Sequence, residues 1–141
     1  MDEMMKKGVL LIPVVFVAAF IFYNSAQPAD ISGEMSGNLI NWLQNTFGIS
    51  VSQFAIRKLA HFSEFALLGF LTFALIKWKS VLVCGLYAAT DEIHQCFVLG
   101  RSCEFRDWCI DFCGVMFGVL IMWLILKLGN RAKEQKAKNQ N

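Results

Sequence analysis

Long apolar runs restrict the fold of this chain more than any other feature of its sequence. A helix needs about 20 mainly apolar residues to cross a bilayer, and four such runs occur, at about residues 8–26, 57–76, 80–97 and 107–128. Apolar residues make up 56% of the chain and charged residues only 17%, whereas soluble domains are about 45–50% apolar. We therefore predict an all-α, multi-pass membrane protein, with a bundle of four transmembrane helices in a domain at residues 1–130.

The segment between the first two runs, residues 29–55, contains no further spanning run. Its apolar residues recur at helical spacing and a glycine follows them as a stop: Leu39, Ile40, Leu43 and Phe47, then Gly48. This pattern predicts a short amphipathic helix on the outer membrane surface. The alternative is a disordered loop.

The first run follows Lys6 and Lys7 and therefore allows two interpretations. It could be a secretory signal with a basic start, or an uncleaved membrane anchor. We favour the anchor because the apolar run is long for a signal peptide.

The distribution of lysine and arginine predicts the orientation of the bundle. If the N-terminus is cytoplasmic, nine of the 13 basic residues lie inside and four outside, as the positive-inside rule requires. The outer four are Arg57, Lys58, Arg101 and Arg106. We therefore place both termini in the cytoplasm, with residues 131–141 as a basic tail that forms a frayed, solvated helix end beside anionic headgroups. The net charge of +2 is too small to indicate a nucleic-acid partner.

This orientation brings the polar ends of the second, third and fourth helices together in the outer leaflet. Glu64, Asp91 and Asp111 would each lie about one to two turns below the outer surface, at 1.5 Å per residue. Helical spacing also places the polar residues of each helix on one stripe. The stripes are Arg57, His61 and Glu64; Asp91, His94 and Gln95, with Glu92 at the margin; and Asp107 and Asp111, which continue into Gly114 and Gly118.

The two glycines would let a neighbouring helix come close, so the polar stripes are expected to face one another rather than lipid. One interpretation is a purely structural ion-pair network that locks three helices together. Polar contacts in membrane bundles contribute only about 0.6–2 kcal/mol each. Because that benefit is small for so many ionisable groups, we favour a functional site.

Two stretches of the sequence, "IRKLAHFSEFALLG" and "TDEIHQCFVLGRSCEFRDWCIDFCG", resemble the signature blocks of VanZ-like membrane proteins. The resemblance extends from about Tyr23 to the end of the fourth run, although Leu99 stands where relatives often have proline. Matching positions are Arg57, Lys58, His61, Glu64, Asp91, Glu92, His94, Gln95, Arg101, Asp107 and Asp111. The family's namesake is an accessory protein of glycopeptide resistance clusters that lowers susceptibility to teicoplanin. The resemblance therefore implies a bacterial cell-envelope protein, with antibiotic resistance as a function to be tested, because many relatives lie outside such clusters.

Ligand binding is the first hypothesis for the site. The outer basic residues would hold an anionic membrane lipid, a lipid-linked wall precursor or a teicoplanin-like lipoglycopeptide, since the planar arginine fork suits phosphate and carboxylate. The candidate ligand-binding residues are Arg57, Lys58, Glu92, Gln95, Arg101, Asp107 and Asp111.

Catalysis on an envelope lipid is the second hypothesis. His61 or His94 would act as general base, oriented by Glu64 or Asp91. The sequence contains no nucleophile elbow or phosphatase signature, so enzymatic activity stays open.

A divalent metal is the third hypothesis. "HFSE" and "DEIH" each place a histidine and a carboxylate three residues apart on a helix, as some metal sites in helical bundles do. Asp107 and Asp111 could add oxygen ligands, which would suit zinc, manganese or iron. The pattern assigns no residue firmly as a metal ligand.

Cys96 and Cys103 flank the outer turn and either form a disulfide in an oxidising exterior or remain free thiols.

Overall fold

Five helices make up the computed structural model, which describes the backbone of residues 3–139 and the side chains of residues 8–139. They are α1 (Glu3–Ser25), α2 (Ala29–Phe47), α3 (Gln53–Ile76), α4 (Lys79–Gln95) and α5 (Phe105–Lys138). No strand occurs in this described part of the chain. The all-α prediction is therefore confirmed. The side chains of Lys6 and Lys7 lie outside the described residues, as do positions 140 and 141 of the predicted basic tail.

Three of the helices are long and apolar enough to cross a membrane. The spans are Gly8–Ser25 in α1, Gln53–Ile76 and Phe105–Lys138. The helix α4 has 17 residues and so extends only about 25 Å, less than the ~30 Å of a hydrocarbon core. A fourth transmembrane helix therefore stays a prediction, as does the placement of α2 on the outer membrane surface.

Contacts between side chains fix the relative directions of the helices. Asn24 near the end of α1 contacts Glu64 midway along α3. The Tyr87 hydroxyl of α4 donates to the Ala18 carbonyl at 2.7 Å, and Ser25 contacts Asp91, so α1 and α4 run in the same direction. α3 packs most extensively against α5.

Two glycines bring α3 and α5 into close backbone contact, as their spacing predicts. A Cβ on Gly114 would meet the Phe62 carbonyl, and a Cβ on Gly118 would meet the Ala66 carbonyl. Because residue numbers rise together along the two contacts, α3 and α5 are parallel. Small residues allow this approach in membrane bundles, and it sets the polar residues near the starts of the two helices side by side.

Apolar side chains fill the centre of the bundle and also cover its outside. Phe65, Ile21 and Val115 are fully buried, whereas Phe16 and Leu82 are 71% and 68% exposed. Large exposed apolar surfaces are uncommon on soluble monomers. The outer surface is therefore suited to contact with lipid.

The ends of the helices follow local sequence signals. Ser52 caps α3 by accepting a hydrogen bond from the Ala55 amide, and Gly48 ends α2 with φ 69°, as predicted. The helix α2 begins at Ala29, ten residues before the first apolar residue used to predict it, because its first turns are mainly polar and hide the periodicity. In the connection between α4 and α5, Gly100 adopts φ 75°, a conformation that favours glycine.

Candidate functional site

The ends of four helices meet at one end of the bundle. These are the last turn of α1, the first half of α3, the last turns of α4 and the first turns of α5, covered by the connection at residues 96–104. Three ionisable side chains lie at the centre, and we call them the central triad: His61, Asp91 and Asp111. One donor atom from each lies within 4.8 Å of the other two. Asp91 and Asp111 are each only 2% exposed, so the triad is an enclosed polar cluster.

Within the triad, His61 faces Asp111. Its Nδ1 lies 3.8 Å from Asp111 Oδ1, a separation too long for a hydrogen bond. The helices α3 and α5 supply these two residues, and the close approach at Gly114 is one turn below them. The glycine contact therefore positions the site as well as stabilising the bundle.

The end of α1 contributes polar residues to which the sequence analysis assigned no role. The Ser25 hydroxyl donates to Asp91 Oδ2 at 2.7 Å, and the Asn24 amide donates to Glu64 Oε1 at 2.7 Å. The signal for these residues was the polar run that directly follows the first apolar run, at the same predicted depth as the other polar helix ends. Short uncharged side chains did not stand out there, although they hold two of the carboxylates.

Arg101 joins the connection at residues 96–104 to α1 and α4. Its guanidinium donates to the carbonyls of Gln27 and Asn24, both at 3.0 Å, and to Gln95 Oε1 at 3.3 Å. Burial lowers the pKa of Arg101 from its usual value, but arginine stays protonated in proteins. A positive charge at the last carbonyls of α1 is favourable. Arg101 thus fixes the connection over the triad.

Two further contacts hold the start of α5. Lys58 forms an ion pair with Asp107, and the Glu104 amide donates to Glu92 Oε1 at 2.7 Å. Glu92 is nearly buried and satisfies an amide that the new helix would otherwise leave without a partner. The described contacts of Glu92 and Asp107 therefore position helices.

A polar cavity of about 240 Å³ opens above the triad, and an apolar cavity of about 210 Å³ lies beside it between α2 and α3. Arg57, His61 and Arg101 line both. The polar cavity is also lined by Phe54, Lys58, Glu92, Gln95, Gly100, Ser102, Glu104, Asp107 and Asp111. The apolar cavity is completed by Asn24, Gln27, Ser32, Met35, Ser36, Leu39, Ile56, Ala60 and Glu64.

Three residues named from the sequence line neither cavity: Asp91, which belongs to the triad, His94 and Arg106. His94 stacks on Phe22 with ring centroids 4.6 Å apart and lines neither cavity. Arg106 contacts Glu104 at 3.1 Å on the surface.

The cysteines at the ends of the outer turn are paired: Cys96 and Cys103 form a disulfide with a Cα–Cα separation of 4.9 Å, which is within the usual range.

The fold and the site together define a class of protein: a small all-helical protein of membrane type whose ionisable side chains are buried between the ends of its helices. Comparison with known families gives a more specific assignment. A family model described as VanZ/LLP1 matches residues 10–126. The chain therefore belongs to the VanZ/LLP1 family, as the resemblance of its two polar blocks indicated. No curated protein and no solved structure gives a significant match.

Proposed function

We propose that this protein binds an anionic amphiphile from the outer leaflet of the cell membrane. The observation that carries the proposal is the pair of adjoining cavities, one polar and one apolar, which share Arg57, His61 and Arg101. An anionic headgroup fits the polar cavity, and the attached hydrocarbon fits the apolar one. Ligand sites of this kind combine apolar walls with a few polar groups that fix orientation.

Arg57 is the residue best placed to recognise the headgroup. It lines both cavities, and within residues 8–139 no carboxylate forms an ion pair with it. Lys58, by contrast, is paired with Asp107, and Arg101 donates to the backbone carbonyls of Asn24 and Gln27 at the end of α1 and just after it. A free guanidinium beside an apolar cavity favours phosphate or carboxylate joined to an acyl or polyprenyl chain.

The cell envelope offers two ligands with that chemistry: a lipid-linked wall precursor and a lipoglycopeptide such as teicoplanin. The family's association with teicoplanin supports the second, and a contribution to antibiotic resistance would follow from its capture. The proposed location is the cell membrane, with several spans and both termini cytoplasmic. The apolar helices and the lysine and arginine distribution support this arrangement.

Binding to the purified protein in detergent micelles tests the proposal. The probes are a polyprenyl phosphate, teicoplanin and a glycopeptide without an acyl chain. Arg57→Gln should weaken binding of the acylated probe at least tenfold, because a hydrogen bond to a charged group contributes about 1.5–3 kcal/mol and 1.4 kcal/mol is a factor of ten. Arg106→Gln is the matched control, since Arg106 lines neither cavity. Unchanged affinity in a folded Arg57→Gln variant would contradict the proposal.

Catalysis on the bound amphiphile is the second candidate, favoured by the position of His61. This histidine lines both cavities and faces Asp111, so it is better placed than His94 to act as a general base. Mass spectrometry of envelope lipids should then show the same accumulated lipid in a deletion strain and in a strain complemented with His61→Ala. Identical lipid profiles in wild-type and deletion strains would exclude this activity.

A further inference from the structure

We propose that the central triad binds one divalent transition-metal ion, with His61, Asp91 and Asp111 as its protein ligands. The three residues come from α3, α4 and α5, so they do not correspond to either of the histidine–carboxylate pairs within one helix that the sequence suggested. Each offers a donor atom within 4.8 Å of the other two. The ion would form the floor of the polar cavity.

The dimensions of the triad are close to those of a metal site. A tetrahedral zinc ion with ligand bonds of about 2.0–2.2 Å needs donor atoms about 3.3–3.6 Å apart. The His61 Nδ1–Asp111 Oδ1 distance is 3.8 Å, and the donor atoms of all three residues lie within 4.8 Å of one another. Metal binding would therefore require small inward movements of side chains rather than rearrangement of helices.

Two members of this cluster have buried atoms without partners. Asp91 is only 2% exposed, and one of its oxygens, Oδ2, accepts from Ser25 at 2.7 Å and from Gln95 at 2.9 Å. Its other oxygen, Oδ1, and the Nδ1 of His61 are buried without a hydrogen-bond partner among the described residues. Burying a polar atom without a hydrogen-bond partner costs about 1–3 kcal/mol of folding free energy. A bound metal would give both atoms a partner.

The hydrogen bonds around Asp91 are those expected of a metal ligand. Carboxylates that bind metals are commonly oriented by outer partners. Here Ser25 and Gln95 hold one oxygen of Asp91, and Arg101 in turn donates to Gln95 Oε1 at 3.3 Å. Oδ2 of Asp91 is thus fixed by hydrogen bonds, and Oδ1 is left to bind the metal.

The balance of charge also favours a cation at the triad. Two carboxylates, Asp91 and Asp111, are buried next to a single histidine. Of the neighbouring cations, Lys58 is paired with Asp107, Arg101 donates to backbone carbonyls, and Arg57 lines the two cavities above. Buried charges are normally paired or coordinate a metal, and a divalent ion would neutralise both acids. A cluster of protonated carboxyl groups is the alternative outcome of the test.

The three donor atoms indicate which metals would bind and what could occupy the remaining coordination positions of the ion. One imidazole nitrogen and two carboxylate oxygens suit zinc, manganese or iron(II). Three protein ligands leave at least one position for water or a ligand, and it would face the polar cavity because His61 and Asp111 line that cavity. Coordination of a headgroup oxygen there rests on the proposed function, whereas binding of the ion to the three side chains does not.

Metal content and stability of the full-length protein test the assignment. Protein purified in detergent is depleted with a chelator and then titrated separately with zinc, manganese and iron(II), the last under anaerobic conditions. Elemental analysis should recover close to one equivalent of the preferred metal per chain after desalting, and the Tm should rise by several degrees, because a ligand specific to the folded state stabilises it. Asp111→Asn and His61→Ala should lose both effects.

Asp30→Asn is the matched control, because Asp30 is an exposed aspartate of α2 that lines neither cavity and is not part of the triad; it should retain the metal. Arg57→Gln should also retain it while losing the amphiphile, which separates this assignment from the proposed function. Absence of stoichiometric metal and of a Tm shift with all three ions would overturn the assignment. So would equal retention of metal by Asp111→Asn and His61→Ala.

Should a triad variant fail to fold, cobalt(II) bound to the wild-type protein gives the decisive spectrum. Nitrogen and oxygen ligands should give weak visible bands without the intense near-ultraviolet absorption of thiolate coordination. Thiolate absorption would place the ion at cysteine and contradict the assignment. Absence of cobalt binding together with no shift from the other three metals would do the same.

Discussion

Gly118→Ala tests the close packing of α3 against α5 that sets His61 beside Asp111. A Cβ at residue 118 would lie 2.8 Å from the carbonyl carbon of Ala66 and 2.8 Å from the amide nitrogen of Phe70. The Ala66 carbonyl oxygen would lie closer still. These are backbone atoms, so a change of rotamer cannot relieve the overlap, and the helices must separate by roughly 1.5 Å to reach ordinary contact distance. Overpacking of this kind costs about 1–3 kcal/mol.

The same substitution at Gly129 provides the reference for helix propensity. Gly129 also belongs to α5, but nothing lies within 4 Å of a Cβ placed there. Gly129→Ala is therefore expected to stabilise the helix by up to about 1 kcal/mol. Gly118→Ala gains a similar amount, so the difference in the free energy of unfolding between the two variants should be the packing cost, about 1–3 kcal/mol.

Equilibrium unfolding in mixed detergent micelles, followed by circular dichroism and tryptophan fluorescence, gives these free energies. Metal binding by Gly118→Ala should also weaken, because separation of α3 from α5 moves His61 away from Asp111. Equal free energies of unfolding for Gly118→Ala and Gly129→Ala would refute the close contact. The arrangement of the triad that depends on it would then be wrong as well.

The remaining predictions concern α1, the disulfide and the orientation. Ser25→Ala removes a hydrogen bond to a buried carboxylate, and it should lower the free energy of unfolding by about 1–3 kcal/mol in the same assay; no change would contradict its role. Alkylation of denatured, unreduced protein should label three of the five cysteines, with Cys96 and Cys103 unmodified until a reductant is added; labelling of all five would contradict the disulfide. In intact cells, an impermeant thiol reagent should label Asp30→Cys and not Arg131→Cys, each built in a cysteine-free chain; the reverse result would invert the orientation.

The fold could be predicted from the sequence wherever apolar runs are long. The predicted second run begins at residue 57 and the fourth at residue 107, against observed helix starts at Gln53 and Phe105. The helix α5 continues to Lys138, through most of the basic tail, which the sequence predicts to be a frayed helix end. Alanine, lysine, glutamate and glutamine are good helix formers, so the helix extends after its apolar stretch ends. Hydrophobicity alone gives no signal for that extension.

The site could be predicted only as a layer of polar residues, not as a set of contacts. Helical spacing gives the depth of each side chain and the stripe it shares, but the rotation of each helix depends on packing with its neighbours. His61 and His94 were therefore equivalent candidates from the sequence. In the structure, α4 turns His94 toward Phe22 and Asp91 toward the triad. The contribution of α1 was missed because Asn24 and Ser25 carry no charge.

The short length of α4 explains why a cavity forms above the triad. Counting 1.5 Å per residue, His61 lies about 12 Å from the start of α3 and Asp111 about 9 Å from the start of α5, whereas Asp91 lies only about 6 Å from the end of α4. Because these side chains share one level, α4 must end about 3–6 Å below the level at which its two neighbours begin. A longer α4 would occupy that space.

Instead, the connection after α4 bends across the recess and is fixed from both sides. Gly100 supplies the turn, Arg101 attaches it to α1, and the Cys96–Cys103 disulfide closes it. The polar cavity therefore occupies the recess left by α4 and lies beneath this connection, with Gly100 and Arg101 in its wall. The short length of α4 thereby leaves room for a ligand over its buried carboxylate.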